Sequence, residues 1–179
     1  PAMTPPPASA PAGPPGTWPD ADPSKMGPFM TVEEKNVGPG MAFTMYRPMM
    51  LTQKHPVITW GNGTGSSPQT YGVMLKLWAS HGFIVIASDS PNVGQGSPPP
   101  MLDGVTWVLQ QDMTAGVPLY QHVDRDRIGA SGHSQGAFAT TSAGSDARIK
   151  TIAPIQTFGG GRSLHGPVLA LCGGMDTLV

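Results

Sequence analysis

Short runs of apolar, β-branched residues alternate along the chain with segments whose apolar residues recur at helical spacing. Residues 56–60 (PVITW) and 83–87 (FIVIA) have the length and composition of buried strands. Between them, residues 71–80 carry apolar positions spaced as on one face of a helix. The pattern therefore predicts a strand–helix–strand unit of the kind that builds a parallel sheet.

The same alternation continues toward the C-terminus. The other predicted elements are strands at 40–46, 127–131, 150–155 and 167–172, and helices at 102–113 and 135–143. Apolar and polar residues alternate weakly over residues 40–46, and this strand is expected to be antiparallel. The predicted fold class is α/β, with a mostly parallel, doubly wound central sheet flanked by helices.

Composition separates the N-terminal end from the rest of the chain. The 179 residues include 24 glycines and 21 prolines, and residues 1–28 are rich in Pro and Ala. We expect a disordered tail or linker there, and one domain over residues 29–179. The tail lacks the basic start and apolar stretch of a signal peptide. It is typical of the segment left after such a peptide is removed, so secretion is expected, although the flexible end of a fragment would look similar.

Charge gives little reason to expect a nucleic acid or membrane partner. The net charge is -1 with 12% charged residues, and no apolar run approaches the roughly 20 residues needed to span a bilayer. We expect a monomer. The single cysteine, Cys172, lies in the apolar run 168–172 and is expected to be a buried, inert thiol. No Cys/His cluster has metal-ligand spacing, so no metal is expected.

The strongest chemical motif is Gly132-His133-Ser134-Gln135-Gly136, which fits G-x-S-x-G. In a chain so rich in glycine the pattern alone is a weak signal. Here it follows a predicted strand and opens a predicted helix of small residues, which is the setting that exposes a nucleophilic serine. The glycines are required because side chains at such a tight turn would collide.

A Gly/Ser-rich loop, GNGTGSS (61–67), follows the strand at 56–60. A nucleophilic serine needs hydrogen-bond donors for the oxyanion that forms when it attacks a carbonyl. One donor is expected to be the backbone N–H of Gln135, at the start of a helix. The second is expected from this loop, with the Thr64 amide as first candidate and Gly65 next. A phosphate-binding loop is disfavoured because no lysine follows and the spacing differs.

Asp176 comes just after the last predicted strand, at the sheet edge where α/β proteins place functional residues. It is the candidate acid that orients the base, because the chain order for this arrangement is Ser, acid, His. The other carboxylates fit the role less well. Asp89 precedes the serine, Asp124 and Asp126 are expected in turns, and Asp103 and Asp112 are expected to be solvated helix residues.

Three segments together resemble bacterial cutinases and polyester hydrolases, including those that degrade poly(ethylene terephthalate). They are WGNGTGSSPQTYGVMLKLWASHGFIVIASD (60–89), VDRDRIGASGHSQGA (123–137) and PVLALCGGMD (167–176). The resemblance covers about residues 27–179. It implies an α/β-hydrolase fold and cleavage of carboxylic esters through an acyl-enzyme, without a cofactor. It also implies Ser134 as nucleophile, Asp176 as acid, and the Thr64 and Gln135 amides as oxyanion donors.

The resemblance further implies that Phe158 contacts the acyl or aromatic part of the substrate, although an aromatic residue that only anchors a loop would fit as well. Two residues depart from the family's pattern. Ala137 stands where a second glycine is usual, and Gln135 stands where methionine is common. A polar side chain at 135 leaves the backbone donor in place but changes the lining of the cleft.

The family has a catalytic histidine a few dozen residues after the acid, but no histidine follows Asp176 here. We expect His133 to make a structural hydrogen bond, His81 to end a helix, and His55 and His122 to be solvated. His165 is an alternative base only if it reaches over the cleft. The chain therefore resembles a hydrolase truncated at its C-terminus. The missing part could be a separate segment, the gene fragment could be incomplete, or another base could serve.

The function expected from these features is hydrolysis of carboxylic esters, with a polyester or a small ester as substrate. Without an imidazole base, the rate should fall on the order of 10⁴-fold or more. Two alternatives stay open. One is a general carboxylesterase or lipase for small esters, and the other is an inactive hydrolase-like domain that only binds.

Overall fold

The computed structural model describes residues 22–95, 99–156 and 163–175. Within these residues, six strands form one sheet that is flanked by three helices. The strands are β1 (Thr31–Val37), β2 (Phe43–Pro48), β3 (His55–Gly61), β4 (Ile84–Ser88), β5 (Val123–His133) and β6 (Thr151–Ile155), and the helices are α1 (Gly72–Ser80), α2 (Met101–Gln111) and α3 (Gln135–Ala143). None of these three helices is long and apolar enough to cross a membrane.

The strands lie in the order β1-β2-β4-β3-β5-β6. β3 runs parallel to β4 and β5, and β5 runs parallel to β6, whereas β1 and β2 are antiparallel to their neighbours. The predicted α/β class with a mostly parallel sheet is confirmed. β1 was not predicted, because its sequence TVEEKNV is largely polar and it lies at the sheet edge, where the hydrophobic pattern is weak.

Helices cover both faces of the sheet, because alternate residues of β4 face opposite sides. Ile84 and Ile86 belong to a core cluster that includes apolar residues of α2 and α3. Val85 and Ala87 belong to a second cluster with Leu75 and Ala79 of α1. This two-sided burial explains why the central strands read as continuous apolar runs in the sequence.

An apolar groove of about 620 Å³ lies on the α1 face, over β3, β5 and β6. Ile58, Trp78, Phe83 and Leu169 are among the residues that line it. In the described part of the chain, α1 is the helix that covers this face, and its nine residues do not extend over the whole sheet. The strands next to the groove are therefore partly open to solvent.

The predicted strand at 167–172 differs from expectation. It pairs with β6 only through two isolated parallel bridges, Ile152 with Val168 and Ile155 with Leu171. Leu169 is 60% exposed, and Cys172 is exposed rather than buried. An apolar run becomes a buried strand only when neighbouring segments cover both of its faces, and residues 167–172 are all exposed.

Two polar side chains that were expected in solvent are buried instead. His55 begins β3 and is fully buried, and its Nδ1 lies 2.7 Å from the carbonyl oxygen of Gly82. Burial lowers the pKa of the His55 imidazole. Asp112, just after α2, is 7% exposed and accepts hydrogen bonds from the Val123 N–H at 3.0 Å and from Arg125 Nε at 2.6 Å. In each case the hydrogen-bond partner lies 11 or more positions away in the sequence, so local polarity does not reveal the contact.

Candidate active site

Ser134 is the single residue between β5 and α3. Its backbone has φ 54° and ψ −119°, a conformation that costs a residue with a side chain on the order of 1–3 kcal/mol. Its N–H donates to the Ile155 carbonyl at 3.0 Å, and its carbonyl accepts from the Ala137 N–H at 2.8 Å. The surrounding backbone thus holds Ser134 in a strained, half-buried position at the strand–turn–helix junction predicted from the sequence.

Close packing around this turn requires the two glycines of the motif. A Cβ atom on Gly132 would overlap the carbonyl oxygen of Gly136, and a Cβ on Gly136 would overlap the carbonyl oxygen of Gly61 at the end of β3. The start of α3 therefore packs directly on the backbone of β3 and β5. The steric reason for the glycines, inferred from the sequence, agrees with this geometry.

Asn62, which is fully buried, holds the loop after β3 in place through its side-chain hydrogen bonds. Its side-chain amide donates to the Ser88 carbonyl at 2.6 Å and accepts from Trp60 Nε1 at 3.1 Å. Further along, the Gly65 N–H donates to the Pro91 carbonyl at 3.0 Å. The loop is thereby tied to the chain that follows β4.

Thr64, at the exposed tip of this loop, lies beside Gln135. Gln135 Nε2 donates to Thr64 Oγ1 at 3.3 Å, while Gln135 Oε1 accepts from the Gly94 N–H at 3.1 Å. The Gln135 side chain thus links the start of α3 to two loops. Only the three-dimensional structure reveals this link, because the three residues are distant in the sequence.

The two backbone amides predicted to hold an oxyanion are unpaired among the described residues. Neither the Thr64 N–H nor the Gln135 N–H donates to a protein acceptor there. Gln135 is the first residue of α3, so the helix dipole adds positive potential at its amide. The role of the two amides as oxyanion donors stays a prediction.

His133 makes the structural hydrogen bonds expected of it. Its Nδ1 lies 2.9 Å from the hydroxyl of Tyr71, and its Nε2 lies 2.5 Å from Gln156 Oε1. The Tyr71 hydroxyl also accepts a hydrogen bond from the Gly63 N–H at 3.1 Å. No local signal in the sequence distinguished the Tyr71 hydroxyl, because its partners lie 8 and 62 positions away.

None of the five histidines hydrogen-bonds to Ser134 within the described residues. His165 Nε2 lies 3.0 Å from the Ser145 carbonyl, past the far end of α3. The nine residues of α3 span about 13 Å, so His165 is distant from Ser134 and does not reach over the cleft. His81 follows the last residue of α1 as its C-cap, as predicted, and His122 Nδ1 lies 3.2 Å from the Gln53 carbonyl.

Two of the predicted site residues, Asp176 and Phe158, lie outside the described residues, so their roles remain predictions. The described segment leading to residue 176 runs along β6. There the Leu171 N–H donates to the Pro154 carbonyl at 3.0 Å, and the Gln156 N–H donates to the Leu171 carbonyl at 2.7 Å. In the described ranges, no three His, Cys, Asp or Glu side chains lie close enough together to hold a metal ion.

Residues 12–179 match the family model described as PETase, PET hydrolase-like. No curated protein matches the chain significantly. The family match covers all six strands, the three helices and the Ser134 turn.

Proposed function

Because the chain belongs to the PET hydrolase-like family, we propose that it hydrolyses carboxylic esters of polyesters with Ser134 as nucleophile. The observation that carries the proposal is the strained backbone of Ser134, followed by the Gln135 amide, which like the Thr64 amide donates to no acceptor among the described residues. A serine in such a conformation is maintained at a cost, and strain of this kind clusters at active sites. An ordinary Gly-rich turn would place a glycine at this positive φ.

The proposed reaction proceeds through an acyl-enzyme. Ser134 Oγ bonds to the ester carbonyl carbon as its proton passes to a base, and the Thr64 and Gln135 amides bind the resulting oxyanion. The C–O bond to the alcohol breaks as the base returns the proton to the leaving oxygen. Water then repeats both steps and releases the acid. Asp176 is the proposed partner that orients the base.

The proposed mechanism also requires a base. His133 is committed to Tyr71 and Gln156, and His165 lies beyond α3. The family resemblance implies a histidine that comes after Asp176 in the chain order. Reading the codons that follow Val179 in the gene tests this: a continuous frame with a histidine a few dozen codons on supports it, and an immediate stop codon contradicts it.

An exposed site favours a large substrate. Thr64 is exposed and Ser134 is partly exposed, so an ester within a longer chain can approach without entering a closed cavity. A polyester is insoluble and cannot cross a cell envelope, so the proposal includes secretion. Detecting the protein in culture supernatant rather than in cells tests that part.

Labelling of the protein encoded by the gene with a fluorophosphonate probe tests Ser134 as the nucleophile. We expect one labelled site, lost in Ser134→Ala and retained in Ser142→Ala, which removes an exposed hydroxyl from the same helix. Absence of labelling in the wild type at high probe concentration would support the inactive, binding-only alternative. Release of soluble products from a polyester film, compared with turnover of p-nitrophenyl esters, separates a polyesterase from a general carboxylesterase.

A further inference from the structure

A chain of hydrogen bonds connects the predicted oxyanion loop to the serine turn. It passes from the Gly63 N–H to the Tyr71 hydroxyl, then to His133 Nδ1, and from His133 Nε2 to Gln156 Oε1. Gly63 lies in the loop after β3, Tyr71 directly before α1, His133 at the end of β5, and Gln156 directly after β6. Four segments of the protein are thereby joined, one of which ends directly before Ser134.

The donors and acceptors in this chain have one consistent direction. Gly63 can only donate through its N–H, so the Tyr71 oxygen accepts from it and its own proton is free for His133. His133 Nδ1 then accepts from Tyr71, which leaves the ring proton on Nε2. Nε2–H donates to the Gln156 carbonyl oxygen. Each hydrogen-bonding group in this series thus has a partner when the His133 imidazole is neutral.

The arrangement depends on close contact at Gly63. A Cβ atom there would lie 2.9 Å from the Tyr71 oxygen and 3.0 Å from His133 Nδ1, which is too close for a side chain. Glycine is therefore needed for the backbone to approach this hydroxyl–imidazole pair. The Tyr71 ring also packs on Trp60, with ring centroids 4.9 Å apart, so it has an anchor besides its hydroxyl.

The Gly63–Thr64 peptide group carries the predicted oxyanion donor. Its carbonyl accepts from the Ser66 N–H at 3.0 Å, and in a trans peptide the Thr64 N–H points the opposite way. On the N-terminal side of the residue, the Gly63 N–H donates to the Tyr71 hydroxyl. These two bonds on either side of Gly63 set the direction in which the Thr64 N–H points.

We propose that Tyr71 and His133 are positioning residues for the oxyanion hole, with the Tyr71 hydroxyl, oriented by His133, holding the Gly63–Thr64 peptide toward the ester at Ser134. The inference rests on the proposed ester hydrolysis. Neither residue touches the reacting atoms in this role. They fix a donor whose contribution is greatest in the transition state, when charge develops on the carbonyl oxygen.

Kinetics of ester hydrolysis test the role through the split between kcat and KM. Tyr71→Phe keeps the ring and removes only the hydroxyl, and we expect kcat to fall about 10-fold to 100-fold with KM nearly unchanged. Tyr120→Phe is the matched control, because among the described residues its surface hydroxyl accepts from the neighbouring Gln121 side chain alone. An unchanged kcat in Tyr71→Phe, or an effect confined to KM, would overturn the proposal.

Substitutions at His133 test the donor and acceptor directions in this chain of hydrogen bonds. His133→Leu should lower kcat as Tyr71→Phe does, and the double variant should be no worse than either, because both break one linkage. His133→Asn should restore most of kcat, since Asn Oδ1 can replace Nδ1 as acceptor. Multiplicative losses in the double variant, or no rescue by Asn, would contradict a shared linkage.

Amide hydrogen exchange at Gly63, followed by NMR, separates this proposal from the proposed function because it needs no turnover. The Gly63 amide should exchange at least about tenfold faster in Tyr71→Phe than in the wild type or Tyr120→Phe. Equal exchange overturns the positioning role even in an inactive protein. If the Gly63 amide exchanges faster in Tyr71→Phe but the protein hydrolyses no ester, the Tyr71–Gly63 hydrogen bond is supported and the proposed reaction is refuted.

Discussion

The carbonyl oxygen of Gly61 occupies the space that a Cβ atom on Gly136 would take. Gly61 ends β3 and Gly136 is the second residue of α3, so this contact sets how closely the helix approaches the sheet. The start of α3 cannot move away without also moving Ser134, which directly precedes it. The contact therefore couples the packing of the core to the geometry of the candidate site.

Gly136→Ala should disrupt both properties. Forcing a methyl group against a backbone carbonyl is overpacking with no flexible neighbour to yield, and we expect a loss of about 3 kcal/mol in the free energy of unfolding. Probe labelling of Ser134 should also disappear. Gly174→Ala, where no atom of the described residues lies within 4 Å of the added Cβ, is the control that should unfold like the wild type. Normal stability and labelling in Gly136→Ala would refute the steric argument.

Gln135→Met tests the side-chain link between α3 and the two loops. Methionine has a similar length but leaves the Gly94 N–H and the Thr64 hydroxyl without their partner. Both groups are exposed and can bind water, so the free energy of unfolding should fall by less than about 1 kcal/mol. We expect kcat/KM for a p-nitrophenyl ester to fall about tenfold as the Thr64 loop loosens.

Gln110→Met, on the exposed face of α2, is the control and should change neither the free energy of unfolding nor kcat/KM. A wild-type kcat/KM in Gln135→Met would show that the link is dispensable.

Asp112→Ala should destabilise the fold without touching the site. The substitution leaves the buried Val123 N–H without an acceptor, and an unsatisfied buried donor costs about 1–3 kcal/mol. Asp112→Asn retains a carbonyl oxygen for that bond and should lose less. Urea unfolding measures the three proteins, with the exposed Asp126→Ala expected within about 0.5 kcal/mol of the wild type. Equal stability of Asp112→Ala and Asp126→Ala would contradict a stabilising hydrogen bond from the Val123 N–H to Asp112.

His55 should make stability depend on pH. Burial lowers its pKa in the folded protein, and its Nε2 has no hydrogen-bond partner among the described residues. The unfolded chain takes up a proton near the ordinary pKa of about 6.5, which the folded protein resists. The free energy of unfolding should therefore fall as the pH drops from about 7.5 to about 5.5.

The matched variants identify the source of that slope. His55→Gln should flatten the dependence of the free energy of unfolding on pH over this interval, whereas His165→Gln, at an exposed histidine, should keep it. The measurement is urea unfolding at both pH values. An identical slope in the wild type and His55→Gln would show that another group titrates.

The strands and helices of the sheet centre were predictable from local patterns. The helix at 135–143 agrees with α3 to the residue, and the strand at 150–155 differs from β6 by one residue. Continuous apolar runs indicate strands covered on both faces, and helical spacing indicates the covering helices. β1 was missed because it lies at an edge, and Cys172 was expected to be buried because the run around it resembles the central strands. Whether such a run is covered depends on the neighbouring segments rather than on its own composition.

The sequence by itself determined the order of strands and helices and the G-x-S-x-G turn, because periodicity and glycine act over a few neighbouring residues. Only the tertiary structure decided which polar groups meet around that turn. Tyr71 reaches His133 across 62 positions, and Gln135 reaches Thr64 across 71. These pairs form because β3 lies between β4 and β5 in the sheet, which brings the loop after β3 against the start of α3. Hydrogen bonds between side chains so far apart depend on that strand order, and no local pattern encodes it.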